Sequence, residues 1–229
     1  VLISLDAFRW DYCAMHPAET PNLRRLIREG VTAKGLIPAF PSNTFPNHYS
    51  IVTGMYPARH GIINNTMFEP ASGLFFRYNQ GASATQPQWW RGEPIWATAI
   101  KQGGLGGAWF WPGSEAEIGG IRPTAWQTFD ATLSFESRLD SLVAWLDRSR
   151  NSAPVVATFY LEAINSIGHK FGPGSPALAA AIKVADARVG RLQARLQAAG
   201  IAANLVIVSD HGMTPISPER IILLDEFLD

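Results

Sequence analysis

Residues 204–213 read NLVIVSDHGM. An apolar, largely β-branched run passes without a break into Asp210 and His211, and Gly212 then lets the backbone turn sharply. The pattern predicts a buried strand over 204–210 with a carboxylate and an imidazole at its carboxyl end. Two other segments repeat it. VLISL (1–5) runs into Asp6, and PVVATFYLE (154–162) ends on Glu162. Helical patterns lie between these strands. PNLRRLIREG (21–30) has Pro21 in its first turn and Gly30 as its stop. SFESRLDSLVAWLDRS (134–149) opens on a capping Ser134, and an Ala-rich amphipathic helix is expected from Ser175 to Gly200. Buried strands alternating with helices predict an α/β fold with a mainly parallel central sheet flanked by helices. Such sheets bind ligands at the carboxyl ends of their strands. Attention therefore goes to Asp6, to the segment after Glu162 and to Asp210-His211.

The remaining segments are read in the same way. NHYSIVTG (47–54) predicts a short helix after a Pro-, Ser- and Asn-rich loop over 35–48. GEPIWATAIKQGG (92–104) predicts a helix and GGAWFW (106–111) a strand. Residues 56–92 are weakly periodic and rich in turn residues, so no regular element is assigned there.

Composition narrows the function. The 229 residues carry 19 Lys+Arg against 19 Asp+Glu, a net charge of +0. A generic polyanion binder needs a basic surface, so binding of nucleic-acid polymers is not expected. Hydrophobic residues at 47% and charged residues at 17% supply a core and argue against disorder. The single cysteine, Cys13, excludes a disulfide within the chain and any Cys-rich zinc site. No apolar run approaches the roughly 18–20 residues of a spanning helix. The chain starts inside a strand pattern at Val1 and ends mid-pattern in RIILLDEFLD (220–229), so it is expected to be part of a longer protein.

Asp and neutral imidazole suit zinc or a similar divalent ion. Taken alone, Asp210-His211 also fits a polar turn, and Asp6 also fits a loop cap. In YLEAINSIGHKFGP (160–173), His169 follows Asn165 by four, so one helical turn places both on one face. In FPSNTFPNHYSIVTG (40–54), Thr44 sits between prolines just before a helix start, where backbone donors favour anions. A hydroxyl beside a metal there can act as a nucleophile. By local pattern alone, Ser42 or Thr44 is an N-cap.

Taken together, FPSNTFPNHYSIVTGMYPARHGIINN (40–65), GEPIW (92–96), FWPGSE (110–115), YLEAINSIGHKFGP and VSDHGM (208–213), in this order, resemble the nucleotide pyrophosphatase/phosphodiesterase family of the alkaline phosphatase superfamily. The resemblance implies an alkaline-phosphatase-like α/β fold, with residues 1–229 a partial catalytic domain that lacks its C-terminal part. It implies two zinc ions. Asp6, Thr44, Asp210 and His211 match the ligands of one. His169 matches a ligand of the other, and Asn165 stands where the family has Asp. A further His is expected beyond residue 229. Thr44 matches the nucleophile that forms a covalent nucleotidyl intermediate, later hydrolysed. Asn65 matches an amide that donates to a phosphoryl oxygen, and Phe45 and Phe129 match aromatics around a nucleobase. The implied substrate is a small nucleotide-like phosphodiester, and the implied location is periplasmic or secreted. A single cysteine suits bacterial exported members.

His16, His48 and His60 are assigned to structure, with support of the metal ligands open to His48 or His60. Trp89, Trp90, Trp109 and Trp111 are assigned to core or loop anchoring, and Asp186 to a structural polar contact. An amide at Asn165 offers one oxygen and no charge, so the second metal is expected to be weakened. The alternative is a catalytically impaired homologue that binds a nucleotide or headgroup.

Overall fold

The computed structural model describes residues 1–147 and 153–227. The chain begins with β1 (Leu2–Leu5), α1 (Tyr12–Met15), α2 (Pro21–Glu29), α3 (Thr44–Thr53) and α4 (Pro57–His60). A hairpin of β2 (Thr66–Glu69) and β3 (Leu74–Arg77) follows, then α5 (Gly81–Ala84) and α6 (Ile95–Lys101). Next come β4 (Gly106–Trp109), β5 (Ala125–Gln127), α7 (Phe135–Leu146), β6 (Val156–Leu161), α8 (Ala163–Phe171), α9 (Pro176–Ala198) and β7 (Val206–Val208). Five strands form one parallel sheet in the order β5-β4-β6-β1-β7. The expected α/β class with a mainly parallel sheet is therefore present, and β1 lies inside it between β6 and β7. Among the described residues, no helix is long and apolar enough to cross a membrane.

Period-2 alternation along β1 decides where the site lies. Ile3 and Leu5 are buried in one core cluster with Leu23 of α2, Leu139 and Leu142 of α7, and Val189 and Leu192 of α9. Ser4 faces the other way and meets His48 of α3. Asp6 follows Ser4 by two, so its side chain emerges on the α3 side. A second cluster on that side is largely aromatic, with Tyr49, Phe76, Trp89, Trp90, Trp96 and Trp111. The tryptophans are core anchors, as expected.

Several boundaries differ from the sequence pattern. Helix α3 starts at Thr44, three residues before the expected Asn47. The Asn47 side chain explains this extension. Its Oδ1 accepts from the Ala39 N–H at 2.7 Å, and its amide group donates to the carbonyls of Pro41 and Asn43 at 3.1 and 3.0 Å. It thus fastens the loop beneath the first turn, where Pro46 needs no N–H partner. Residues 56–92, to which no element is assigned, hold α4, the hairpin and α5; the hairpin strands are largely exposed and carry no apolar run of the kind that marks β1. Strand β4 stops at Trp109 because Phe110 takes a left-handed φ of 59°. The strands expected over 154–162 and 204–210 contract to β6 and β7. Ser134 caps α7 as expected, accepting from the Ser137 N–H at 3.1 Å. Residues 148 and 149 of that expected helix lie outside the described residues.

Candidate metal centre

The parallel register pairs Ser4 with Val208 and Leu5 with Leu161. Two residues further on, Asp6 and Asp210 come side by side, both buried. Ala7 then turns the chain with a left-handed φ of 60°, and its N–H donates to Asp210 Oδ1 at 3.2 Å. Such a φ in a non-glycine residue costs of order 1 kcal/mol or more and is held by its surroundings. The Tyr160 hydroxyl donates to Asp6 Oδ2 at 2.5 Å. His211 Nε2 lies 3.6 Å from Asp6 Oδ1 and 3.1 Å from Asp210 Oδ2. Ligand atoms of Asp6, Asp210 and His211 all fall within 4.8 Å of one another. Thr44, the first residue of α3, places its Oγ1 3.2 Å from His211 Nε2.

This donor set fits a divalent cation. Asp6 Oδ1 and Asp210 Oδ2 are buried and have no hydrogen-bond partner among the described residues. Two orphaned carboxylate oxygens beside an imidazole nitrogen are costly without a cation and suit a zinc-like ion. The electrostatics agree. Burial pushes the Asp6 carboxyl up to about 8, and the neighbouring Asp210 carboxylate adds to the rise. Burial acts in the same sense on Asp210, but the imidazoles of His48 and His211 and the Ala7 N–H outweigh it and hold its carboxyl below the usual range. The two carboxyls are thus pushed in opposite directions, Asp6 towards the protonated and Asp210 towards the ionised form.

Asn65 belongs to the same neighbourhood. Its Oδ1 accepts from the Phe45 N–H at 2.9 Å, which ties it to the first turn of α3. Asn64 assists, accepting from the Asn43 amide at 2.7 Å and from the Asn65 N–H at 2.8 Å. The Phe45 ring packs on Phe76 and Tyr78 at 5.8 and 5.7 Å. Phe129 is 46% exposed and rests on Phe110 at 5.1 Å. Asn165 and His169 sit one turn apart on α8. His169 is exposed and lies outside the Asp6–Asp210–His211 group, while Asn165 Oδ1 is buried without a hydrogen-bond partner among the described residues. The structure thus gathers Asp6, Thr44, Asp210 and His211 at one point and leaves Asn165 and His169 as a separate pair.

Sequence reasoning missed Tyr160 and Ser4. For Ser4 a signal existed, because a lone hydroxyl inside the buried run VLISL needs a partner. Tyr160 carried none, since an aromatic in a strand is ordinary core material. His60 is structural as expected. Its Nδ1 accepts from the Ile62 N–H at 3.2 Å and its Nε2 faces Ser50 Oγ at 2.9 Å. Asp186 is structural too, and holds the start of α2.

Comparisons with known proteins place the chain in a family. The family model described as type I phosphodiesterase / nucleotide pyrophosphatase matches residues 1–229. Human ectonucleotide pyrophosphatase/phosphodiesterase family member 1 is 39% identical over 230 residues, covering 100% of this chain and 25% of the relative. A venom phosphodiesterase of Macrovipera lebetinus is 37% identical over 231 residues, covering 100% of this chain and 27% of the relative. The chain therefore spans about a quarter of the length of these curated relatives. Among solved structures, murine ectonucleotide pyrophosphatase/phosphodiesterase 5, in an inactive threonine-to-alanine form in complex with AMP, superposes with a TM-score of 0.91 at 33% identity, covering 100% of this chain and 60% of that one. The human form of the same protein matches with a TM-score of 0.91 at 35% identity, covering 100% and 60%. On sequence, fold and extent of match, the chain belongs to the type I phosphodiesterase / nucleotide pyrophosphatase family.

Proposed function

We propose that the full protein hydrolyses phosphodiester or pyrophosphate bonds of nucleotides or nucleotide-like substrates, with Thr44 as nucleophile. The observation that carries this reading is the Thr44 hydroxyl at the first turn of α3, 3.2 Å from His211 in the Asp6–Asp210–His211 group. Zinc held by Asp6, Asp210 and His211, when bound, supplies Lewis acidity that lowers the hydroxyl pKa and screens phosphoryl charge. Positive charge then comes from the ion rather than from Lys or Arg, in keeping with a net charge of +0.

Thr44 Oγ1 attacks phosphorus in line with the leaving oxygen, giving a nucleotidyl-threonine that water hydrolyses in a second displacement. Asn65 has its oxygen engaged by the Phe45 N–H, which leaves its NH2 group to donate to a phosphoryl oxygen as charge develops. Phe45 and Phe129 bracket the base, and stacking tolerates different bases. The AMP bound to the murine neighbour supports a nucleotide-sized ligand. Asn165 and His169, with a His from the rest of the full protein, would hold a second zinc. The ecto- and venom enzymes among the relatives support a periplasmic or secreted location.

A second reading has one observation in its favour: the amide of Asn165, with its buried oxygen unpartnered among the described residues, stands where a carboxylate would hold metal. In that reading the protein binds a nucleotide or headgroup without turnover. Hydrolysis of p-nitrophenyl-TMP by zinc-loaded full-length protein decides between them. Turnover that falls at least about 1,000-fold in Thr44→Ala supports the enzyme. Zero turnover by the wild type rejects it.

A further inference from the structure

We propose that His48 is a positioning residue that locks the Thr44 backbone to Asp210, so that nucleophile and metal ligand move as one body. The inference rests on the metal reading above. His48 lies one turn after Thr44 on α3, and its side chain is wholly buried. Its Nδ1 is 2.8 Å from the Thr44 carbonyl oxygen and 3.3 Å from Asp210 Oδ2. On the far side of the ring, Nε2 is 2.8 Å from Ser4 Oγ, itself wholly buried on β1. One imidazole therefore bridges three elements far apart in the sequence: the first strand, the helix that carries Thr44 and the loop after β7.

The surroundings fix the ring in one orientation. Trp111 meets it edge-on at 5.0 Å and 77°, and Tyr160 does so at 5.1 Å and 85°. Trp111 Nε1 also donates to the His48 carbonyl at 3.1 Å, and Tyr160 donates to Asp6. The wedge of rings that clamps His48 thus reaches the other metal carboxylate as well. Filling this space required no polar atom, and a buried imidazole is costlier than an aliphatic side chain unless its nitrogens are used. Both nitrogens are used, and one faces a metal ligand. Groups that orient ligating carboxylates from behind change metal affinity by about 10- to 100-fold when removed. A shift of about 1 Å in a nucleophile can cost about 100-fold in rate.

Two amide substitutions separate the two nitrogens. The Asn amide nitrogen falls near imidazole Nδ1, and the Gln amide nitrogen near Nε2. His48→Asn keeps the donor to the Thr44 carbonyl, beside Asp210 Oδ2, and loses Ser4, whereas His48→Gln does the reverse. The experiment is chelator competition for Zn2+ on metal-free full-length protein, with the melting temperature of the metal-free form measured alongside. The expected result is a 10- to 100-fold weaker zinc affinity for His48→Gln and a loss of only about threefold for His48→Asn, at similar metal-free stability. Equal affinities for both variants, or losses that track the melting temperature, would overturn the assignment. Ser4→Ala removes the partner of Nε2 while leaving the imidazole in place, and settles the matter if the His48 variants do not fold. It is expected to lower zinc affinity about three- to tenfold, and no loss there overturns the proposal. Because the readout is affinity rather than turnover, an inactive wild type would count against the proposed hydrolysis and leave this comparison standing.

Discussion

Asp6 and Asp210, side by side at the ends of neighbouring parallel strands, each keep one buried oxygen without a hydrogen-bond partner among the described residues. Two such carboxylates cannot both be ionised at neutral pH without a cation between them. Asp6 holds its proton up to about pH 8, first because it is buried and then because Asp210 is ionised beside it. A zinc ion binding there would therefore displace one proton from the pair. Zinc affinity is expected to rise about tenfold per pH unit from pH 5 to 8 and to level off above. Titration calorimetry at pH 7 in buffers of different ionisation enthalpy should report about one proton released per zinc. A pH-independent affinity would show that Asp6 is already ionised.

In the proposed second zinc site, Asn165 would offer an amide oxygen where a carboxylate would bring charge. Asn165→Asp should tighten a second zinc at least tenfold, with little effect on the first, because Asp6, Asp210 and His211 form a group of their own. Metal content after dialysis against graded zinc measures both sites at once. An unchanged second affinity would mean that another group already serves as the ligand there.

Under the proposed mechanism, the two amide atoms of Asn65 would have separate functions. Its oxygen accepts from the Phe45 N–H, and its nitrogen is left for substrate. Asn65→Asp preserves the acceptor and places a negative charge where phosphoryl charge develops. The expected loss in kcat is about 100- to 1,000-fold, with melting temperature retained. Asn65→Ala loses the acceptor as well and should be both slower and less stable. If Asn65→Asp kept its kcat, the amide would be only a loop staple.

His60 contributes to the loss of stability on the acid side. Burial holds its imidazole down to about 4 from an ordinary value of 6.5, and its Nδ1 is already engaged as an acceptor. The folded state therefore keeps His60 neutral while the unfolded chain takes up a proton. That contribution is complete above pH 6.5 and is lost as pH falls towards 4, at up to about 1.4 kcal/mol per pH unit. Urea denaturation between pH 7 and 4.5 should show the slope, and His60→Gln should flatten it. An equal slope in the variant would assign it to other groups.

Much of this architecture was legible because long buried strands and amphipathic helices leave strong periods. VLISL, PVVATFYLE and NLVIVSD all emerge as strands ending on the site, with only their ends trimmed. The site was legible for the same reason: Asp6, Asp210 and His211 sit where such strands stop. The hairpin at Thr66–Arg77 was not, because its strands are largely exposed and lack a continuous apolar run, and Phe76 packs on Trp89 and Trp90 from the distant segment that follows. The Tyr160–Asp6 bond and the Ser4–His48 contact were hidden too, since each joins residues 154 and 44 positions apart. Local patterns report which face a residue takes, not what meets it there.

Helix α2 shows the same limit in its cap. Thr20 precedes it and makes no side-chain capping bond. The cap comes instead from Asp186 of α9, only 1% exposed, whose carboxylate accepts from the N–H groups of Asn22 and Leu23 at 3.1 and 2.7 Å and from the Asn22 amide at 2.8 Å. One carboxylate thus satisfies orphan donors of one helix from the middle of another, and its charge suits the positive helix end. Asp186→Ala leaves those donors buried and unpaired, which should cost about 2–3 kcal/mol. For a chain of this length that corresponds to a fall in melting temperature of roughly 4–12 °C. Asp186→Asn keeps an acceptor and should lose about half as much. Neither change touches the metal group, so zinc affinity at 25 °C should match the wild type. A melting temperature unchanged in Asp186→Ala would mean that water or Thr20 takes over the cap, and the packing of α2 on α9 would then rest on its apolar face alone.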